Sequence, residues 1–266
     1  MNTSKPDSRT VRVHLLPDWV PLHELAGRTV VVVDVLRASS TLVAAISAGC
    51  ERIVPCLEVP EARQLARDRQ QAGADVLLGG ERGGVPIAGF DLGNSPLEYT
   101  AERVRGKLLV FTTTNGTRAM MRAVGAERVL IGAFVNRAAV ARQLAETDGV
   151  DVLCAGTDGQ VSWEDSLFAG ALLESLEDYG ISAGNDAAEL VRLAWRNLGE
   201  AGRTRAGLAE SLRYGAGGQN VIRIGRAADI DWVAQVDLFD LVPELILSDW
   251  TIRRTGVDSD TDGRVN

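Results

Sequence analysis

Histidine is nearly absent: His14 and His23 are the only two in 266 residues, and both precede the first strong motif. That scarcity argues against a multi-histidine metal centre and against a histidine phosphoenzyme. Cysteine is almost as rare. Cys50, Cys56 and Cys154 form an odd set without paired spacing, so no disulfide framework is expected and a reducing cytoplasm fits best. Residues 1–9 are polar and carry no hydrophobic signal region. No apolar run approaches the roughly 20 residues of a membrane span. The terminal Gly-Lys-Ser/Thr of a nucleotide phosphate loop and a dinucleotide fingerprint are missing too, which places nucleotide chemistry behind other phosphate chemistry.

What is present is apolar and acid-rich. A hydrophobic content of 45% is enough to bury a large core, and no Ser- or Pro-rich linker divides the chain. A formal net charge of −8 argues against nucleic acid or an anionic membrane surface as partner, so any arginine that meets an anion must act locally. Seven short β-rich runs, at 11–16, 29–35, 52–57, 75–80, 107–112, 128–135 and 151–155, alternate with helix-compatible segments at 39–48, 60–72, 117–124, 137–146 and 163–179. The runs are continuously apolar, as strands covered on both faces are. The alternation predicts an α/β fold of three α/β/α layers around a mainly parallel or mixed sheet.

After Gly180 the pattern changes to helices at 186–198 and 204–214, a Gly-rich turn at 215–218, and apolar–acidic alternation over 229–242. One domain is expected over 1–250, with 180 as the place where two lobes would divide, and 251–266 reads as a flexible polar tail. Segment 82–99 contains Gly83, Gly84, Pro86, Gly89, Gly93 and Pro96. It exceeds the roughly 2–6 residues usual between strand and helix, so it is expected to be a functional loop that covers a ligand with Asp91, Asn94 and Ser95.

Three strand ends carry the chemistry. In Asp34-Val35-Leu36-Arg37-Ala38-Ser39-Ser40-Thr41, Ser39 or Ser40 can cap the following helix, and the same free N–H groups can hold a phosphate or sulfonate. Arg37 offers a planar fork to an oxyanion, while Asp34 either binds Mg²⁺ or attacks a phosphorus atom. Thr112-Thr113-Thr114-Asn115-Gly116-Thr117-Arg118 repeats the device as a hydroxyl-rich phosphate cradle. The third end is Cys154-Ala155-Gly156-Thr157-Asp158-Gly159, followed by Ser162-Trp163-Glu164-Asp165. Ser162 and Asp165 there also read as a capping box, and Cys154 as a buried strand cysteine. Asp34, Glu81, Glu164, Asp165 and Asp237 lie at or near the ends of apolar segments, and two or three of them are expected to converge on Mg²⁺.

With Gly79-Gly80-Glu81-Arg82 and Gly89-Phe90-Asp91-Leu92-Gly93-Asn94-Ser95-Pro96, these motifs resemble the 2-phosphosulfolactate phosphatase family, known from coenzyme M biosynthesis. The later Gly217-Gly218-Gln219-Asn220 and the stretch 229–243 are similar as well. The resemblance implies a Mg²⁺-dependent phosphatase that takes a small phosphorylated, sulfonated hydroxy acid between its motif loops. Combined with the reading of the residues, it gives Asp34, Arg37 and Arg118 as catalytic groups. Ser39, Ser40, Thr41, Asn94, Ser95, Thr113, Thr114, Asn115, Gly116 and Thr117 are the expected substrate contacts. Asp34, Glu81, Glu164 and Asp165 are the expected metal ligands. A non-catalytic sensor of an anionic metabolite is the competing reading, and self-association suits a metabolic enzyme of this kind.

Overall fold

Thr29–Val33 reads TVVVV, and all five residues are buried. A β-branched run with no polar alternation is stable only as a strand covered on both faces, and this one lies inside the sheet. The computed structural model describes residues 9–256. Its first half runs β1 (Thr10–His14), β2 (Thr29–Val33), α1 (Ala38–Ser47), β3 (Arg52–Pro55), α2 (Val59–Gln71), β4 (Val76–Arg82), β5 (Val85–Pro86), α3 (Ala101–Val104), β6 (Leu108–Thr112) and α4 (Gly116–Arg122). Then come β7 (Arg128–Gly132), α5 (Arg137–Leu144), β8 (Val150–Cys154), α6 (Trp163–Glu177), β9 (Ser182–Ala183), α7 (Asp186–Asn197), α8 (Gly199–Arg203), α9 (Arg205–Tyr214), α10 (Ala216–Arg223), α11 (Ala227–Val233), β10 (Pro243–Ile246) and β11 (Thr251–Arg254).

All seven expected strands form, in one eleven-stranded sheet of order β5-β4-β6-β3-β11-β10-β7-β2-β8-β1-β9. Two parallel blocks, β4-β6-β3 and β7-β2-β8-β1-β9, are separated by the antiparallel hairpin β10–β11. The sheet is therefore mixed, and helices cover both faces in three layers. One core holds Phe134, Phe168, Trp195 and Leu212. Another holds Leu42, Ile53, Phe111 and Met120.

The C-terminal third differs from the sequence expectation in three places. Thr251–Arg254 is a strand within the sheet, so the tail does not begin at 251; residues 257–266 lie outside the described residues. The Gly-rich stretch 215–218 is the start of α10, where Gly218 packs against the Leu212 carbonyl too closely for any side chain. Residues 229–242 begin in a helix rather than in a strand-like alternation. Across residue 180 the core is continuous: β9 pairs with β1, and Trp195 of α7 is buried beside Phe134.

One buried charge anchors the sheet away from these loops. Asp151 in β8 is fully buried, with Arg12 Nε at 2.8 Å and His14 Nε2 at 2.6 Å, and it also pairs with Arg28. Burial alone would raise its pKa, but the hydrogen bonds from His14, Arg12 and Arg28 outweigh burial and hold the carboxyl below its ordinary value. A depressed folded pKa contributes stability that is present above the unfolded value, near 3.9, and is lost as pH falls through the folded one. Asp151→Asn leaves three donors facing a neutral amide. Because the arginines are 25–29% exposed on their side chains, the expected cost lies near the low end for a broken buried pair, about 2–3 kcal/mol. Urea unfolding at pH 7 should show that loss, and the gap between variant and wild type should narrow as pH falls below the unfolded value, near 3.9. An equal midpoint for both proteins at pH 7 would contradict the anchoring role.

Candidate active site

The turn that follows β2 is closed by its own hydroxyls. The Asp34 N–H donates to Ser39 Oγ at 2.9 Å, and the Ser39 N–H returns to the Asp34 carbonyl at 2.8 Å. Ser40 Oγ donates to the Val35 carbonyl at 2.8 Å, and Thr41 Oγ1 to the Asn94 carbonyl at 3.0 Å. The side chains expected to meet the substrate or cap α1 are thus engaged with backbone. They fix the turn, and Thr41 ties it to the neighbouring loop. The position before α1 is Arg37, joined to Leu36 by a cis peptide bond. Arg37 is only 4% exposed. Its Nη1 meets Asp229 Oδ2 at 2.8 Å and its Nη2 the Gly84 carbonyl at 2.7 Å, while Ser95 Oγ donates to the other Asp229 oxygen at 2.5 Å. Ser95 and Asp229 therefore aim the guanidinium, an arrangement that fixes its fork before a ligand arrives.

Four acids gather around this turn with different free valences. Glu81 accepts from the Thr114 N–H at 2.7 Å and from the Gly84 N–H at 2.5 Å. Asp165 accepts from the Val35 N–H at 2.8 Å and from the Gly156 N–H at 3.0 Å. Both carboxylates are committed to holding loops together. Asp34 has one weaker contact, the Ala38 N–H at 3.3 Å, and Glu164 Oε2 is buried with no hydrogen-bond partner. Two glycines leave room for these oxygens. A Cβ added at Gly217 would fall 1.9 Å from Glu164 Oε1, and one at Gly116 2.9 Å from Asp34 Oδ2.

Crowding of buried negative charge sets the electrostatics. Burial, then Glu81 and Glu164, push Asp34 up to about 7. Burial also pushes Glu164 to about 7, and burial with Glu164 and Asp34 pushes Asp165 well above the carboxylate range. These groups lack a compensating cation, and their all-oxygen donor set suits a hard one. Among the described residues no three acidic, histidine or cysteine side chains form a ready-made metal cage. Glu164, with an unpartnered oxygen, and Asp34, held only by weaker backbone contacts, fit Mg²⁺ in its usual manner, through one or two carboxylates completed by substrate oxygens and water.

The pocket over Asp34 has a volume of about 170 Å³ and is lined by Arg37, Glu81, Asn94, Thr114, Asn115 and Asn220, among others. A wider hollow of about 560 Å³ adjoins it through Thr157, Asp158, Asn220 and Arg223. Thr113 and Thr117 turn inward, each hydroxyl accepting the other residue's N–H. Arg118 lines a separate cavity that shares Asn115 with the first. The loop expected to cover a ligand is stitched to β4 instead. Leu78 N–H donates to Asp91 Oδ2 at 2.8 Å, the Leu92 N–H to the Leu78 carbonyl at 3.1 Å, and residues 92–96 are buried. Asn94 forms a wall, with its Oδ1 buried and unpartnered.

Other expectations are corrected outright. Asp237 lies elsewhere, bound to Arg137 and to the Ala138 N–H at 2.6 Å, where it serves the start of α5. Ser162 does not form a capping box with Asp165; its hydroxyl meets Thr157 Oγ1 at 2.9 Å. Cys154, by contrast, is the buried strand cysteine expected of it: desolvation with Asp165 and Glu164 raises its pKa well above the thiol range. Asp229, Gly84 and the residues of α10 were outside the expected site. Gly84 was signalled only as part of the Gly- and Pro-rich loop, and the others only by the order of the later motifs.

Residues 14–247 match the family profile described as 2-phosphosulpholactate phosphatase. A protein of Symbiobacterium thermophilum named probable 2-phosphosulfolactate phosphatase is 44% identical over 226 residues, covering 84% of this chain and 93% of the relative. Proteins of the same name from Carboxydothermus hydrogenoformans and Deinococcus radiodurans are 40% and 36% identical, covering 84% and 90% of this chain and 88% and 94% of the relatives.

The electrostatics of the acids predict a stability cost. Their folded pKa values lie above the unfolded ones, near 4, so the folded chain binds extra protons between about pH 4 and 7. The associated stability is complete below that window and is lost as pH rises through about 7. In EDTA, Asp34→Asn should therefore be more stable than wild type at pH 8, by roughly 1–3 kcal/mol, and equal to it near pH 4. Chemical denaturation at both pH values measures this, and a variant no more stable than wild type at pH 8 would refute the assignment.

Proposed function

The chain belongs to the 2-phosphosulpholactate phosphatase family, and from that premise we propose that it hydrolyses 2-phosphosulfolactate, or a closely related phosphorylated hydroxy acid, to the free hydroxy acid and phosphate. The observation that carries this reading is the pair Asp34 and Glu164. Both are buried acids with pKa values near 7: Asp34 lines a pocket small enough for a phosphoryl group, and Glu164, whose Oε2 has no partner, lies behind the pocket residue Gly217. A role in coenzyme M biosynthesis, the setting in which the family is known, and a reducing cytoplasm for the three free cysteines belong to the same proposal.

Asp34 and Glu164 would hold Mg²⁺, with Glu81 and Asp165 fixing the loops around them. Mg²⁺ in this place supplies positive charge against the phosphoryl oxygens and lowers the cost of charge developing in transfer. The chain's own groups do the remainder. Arg37, locked by Asp229 and the Gly84 carbonyl, presents a fixed positive edge to the pocket. Asn115 and Thr114 sit where the loop turns into α4 and orient the ester against that edge. Asn94 Oδ1 is an acceptor without a donor, placed to hold a hydroxyl or water beside the reacting group. An Asp34 that titrates near 7 without a cation would give up its proton on binding one, so Mg²⁺ affinity should rise with pH through that value.

Phosphate release from 2-phosphosulfolactate is therefore expected with Mg²⁺ and is expected to vanish in EDTA. Asp34→Ala and Glu164→Ala should each lower kcat by about 100-fold or more. Turnover that survives EDTA, or full turnover by folded Asp34→Ala, would defeat the metal assignment.

A further inference from the structure

Arg118 and Arg122 stand one turn apart on α4 and both line a cavity of about 350 Å³. Like charges at this spacing repel, and arginines so placed are normally relieved by a carboxylate. Here neither has an ion pair or hydrogen bond among the described residues, and Arg122 Nε is buried without any partner. Asn115, the residue just before α4, is shared by this cavity and the Asp34 pocket. The walls are otherwise apolar, with Leu16, Leu22, Leu57 and Met121. The single acid, Asp18, is exposed and pairs with neither arginine. A net positive, partly apolar chamber that opens beside the phosphoryl pocket is complementary to an organic anion.

We propose that this chamber seats the second anionic end of the substrate, its sulfonate, with Arg122 as a specificity-determining residue alongside Arg118. The inference rests on the phosphatase reading of the adjoining pocket. Arg37 is already neutralised by Asp229, whereas Arg118 and Arg122 have donors free for a sulfonate. The phosphoryl group lies among acids that call for a cation, with Arg37 and Arg223 in the same wall, and the sulfonate lies beside two arginines that have no ion pair among the described residues.

The test uses the whole chain with Mg²⁺ and two variants, Arg122→Met, which keeps the bulk, and Arg122→Lys, which keeps the charge. Calorimetry with 3-sulfolactate and with lactate measures the seat without turnover, and kcat/KM for 2-phosphosulfolactate relative to 2-phospholactate measures it in the reaction. Arg122→Met should weaken sulfolactate binding about 10- to 100-fold and lower the kcat/KM ratio by a similar factor through KM, with Arg122→Lys recovering part of both. Sulfolactate should inhibit wild type competitively, as the substrate's own end does. An unchanged ratio and unchanged sulfolactate affinity in a Met variant with wild-type thermal melting would overturn the proposal. So would sulfolactate binding together with substrate, which marks a separate effector site. If wild type cleaves neither ester yet binds sulfolactate through Arg122, the anion seat stands and the phosphatase reading falls.

Discussion

Buried negative charge without a matching cation governs this site, and much of the surrounding structure can be read as accommodation to it. Asp34, just after β2, and Glu164 and Asp165, in the first turn of α6, sit within electrostatic reach of one another and are buried. Such a cluster is tolerated only when its members are protonated, hydrogen-bonded or joined by a cation. Asp165 takes two backbone N–H groups, one from each flanking loop, and so becomes a joint between the two strand ends. Glu164 is left with an unpartnered oxygen and Asp34 with only weaker backbone contacts, at the two places where Gly217 and Gly116 remove the side chain that would have covered them. The glycines, the tethered loops and the raised pKa values are parts of one arrangement that keeps two carboxylates available at a cost in stability.

The arginines show the complementary division of labour. Arg12 and Arg28 are spent on Asp151, where a buried carboxylate between strands has more donors than it needs and its pKa falls. Arg37 lies in the pocket wall but is held by Asp229, so its contribution is direction rather than free charge. Arg118 and Arg122 face their cavity without an ion pair among the described residues, and Arg223 does so at the wall of the Asp34 pocket. In a chain with a formal charge of −8, these are local exceptions to the prevailing negative field.

Much of this was legible in the sequence, and the limits are physical. Strands such as Thr29–Val33 declare themselves because a wholly apolar β-branched run has few alternatives. Asp34, Glu81, Glu164 and Asp165 were identifiable because acids at the ends of such runs must face solvent, a partner or a ligand. Which of their oxygens remain free was not legible, because that depends on backbone N–H groups far away in the chain, such as Gly156 for Asp165 and Thr114 for Glu81. Ser39, Ser40 and Thr41 illustrate the same limit. Their composition suits an anion clamp, yet their hydroxyls satisfy the turn that carries Asp34. Gly217 and Gly218 read as a turn for the converse reason: glycine signals permissive backbone, whereas here it permits close approach within a helix.

The same distinction explains why the C-terminal third, least legible from its pattern, completes the site. Asp229 of α11 aims Arg37, Gly217 of α10 makes space for Glu164, and Asn220 closes the pocket wall. None of these roles leaves a periodic trace, since each is a single contact made across more than fifty residues of chain. The strand ends of β2, β4, β6 and β8 supply acids and loops, but the helices after residue 200 decide which of those acids stay open. Packing and chemistry are therefore coupled here: loosening α10 or α11 would free Arg37 and let Glu164 move before it disturbed the sheet. A substitution in those helices with little effect on global unfolding should accordingly be felt first at the pocket, because the sheet is held by its own buried strands and by Asp151 at a separate place.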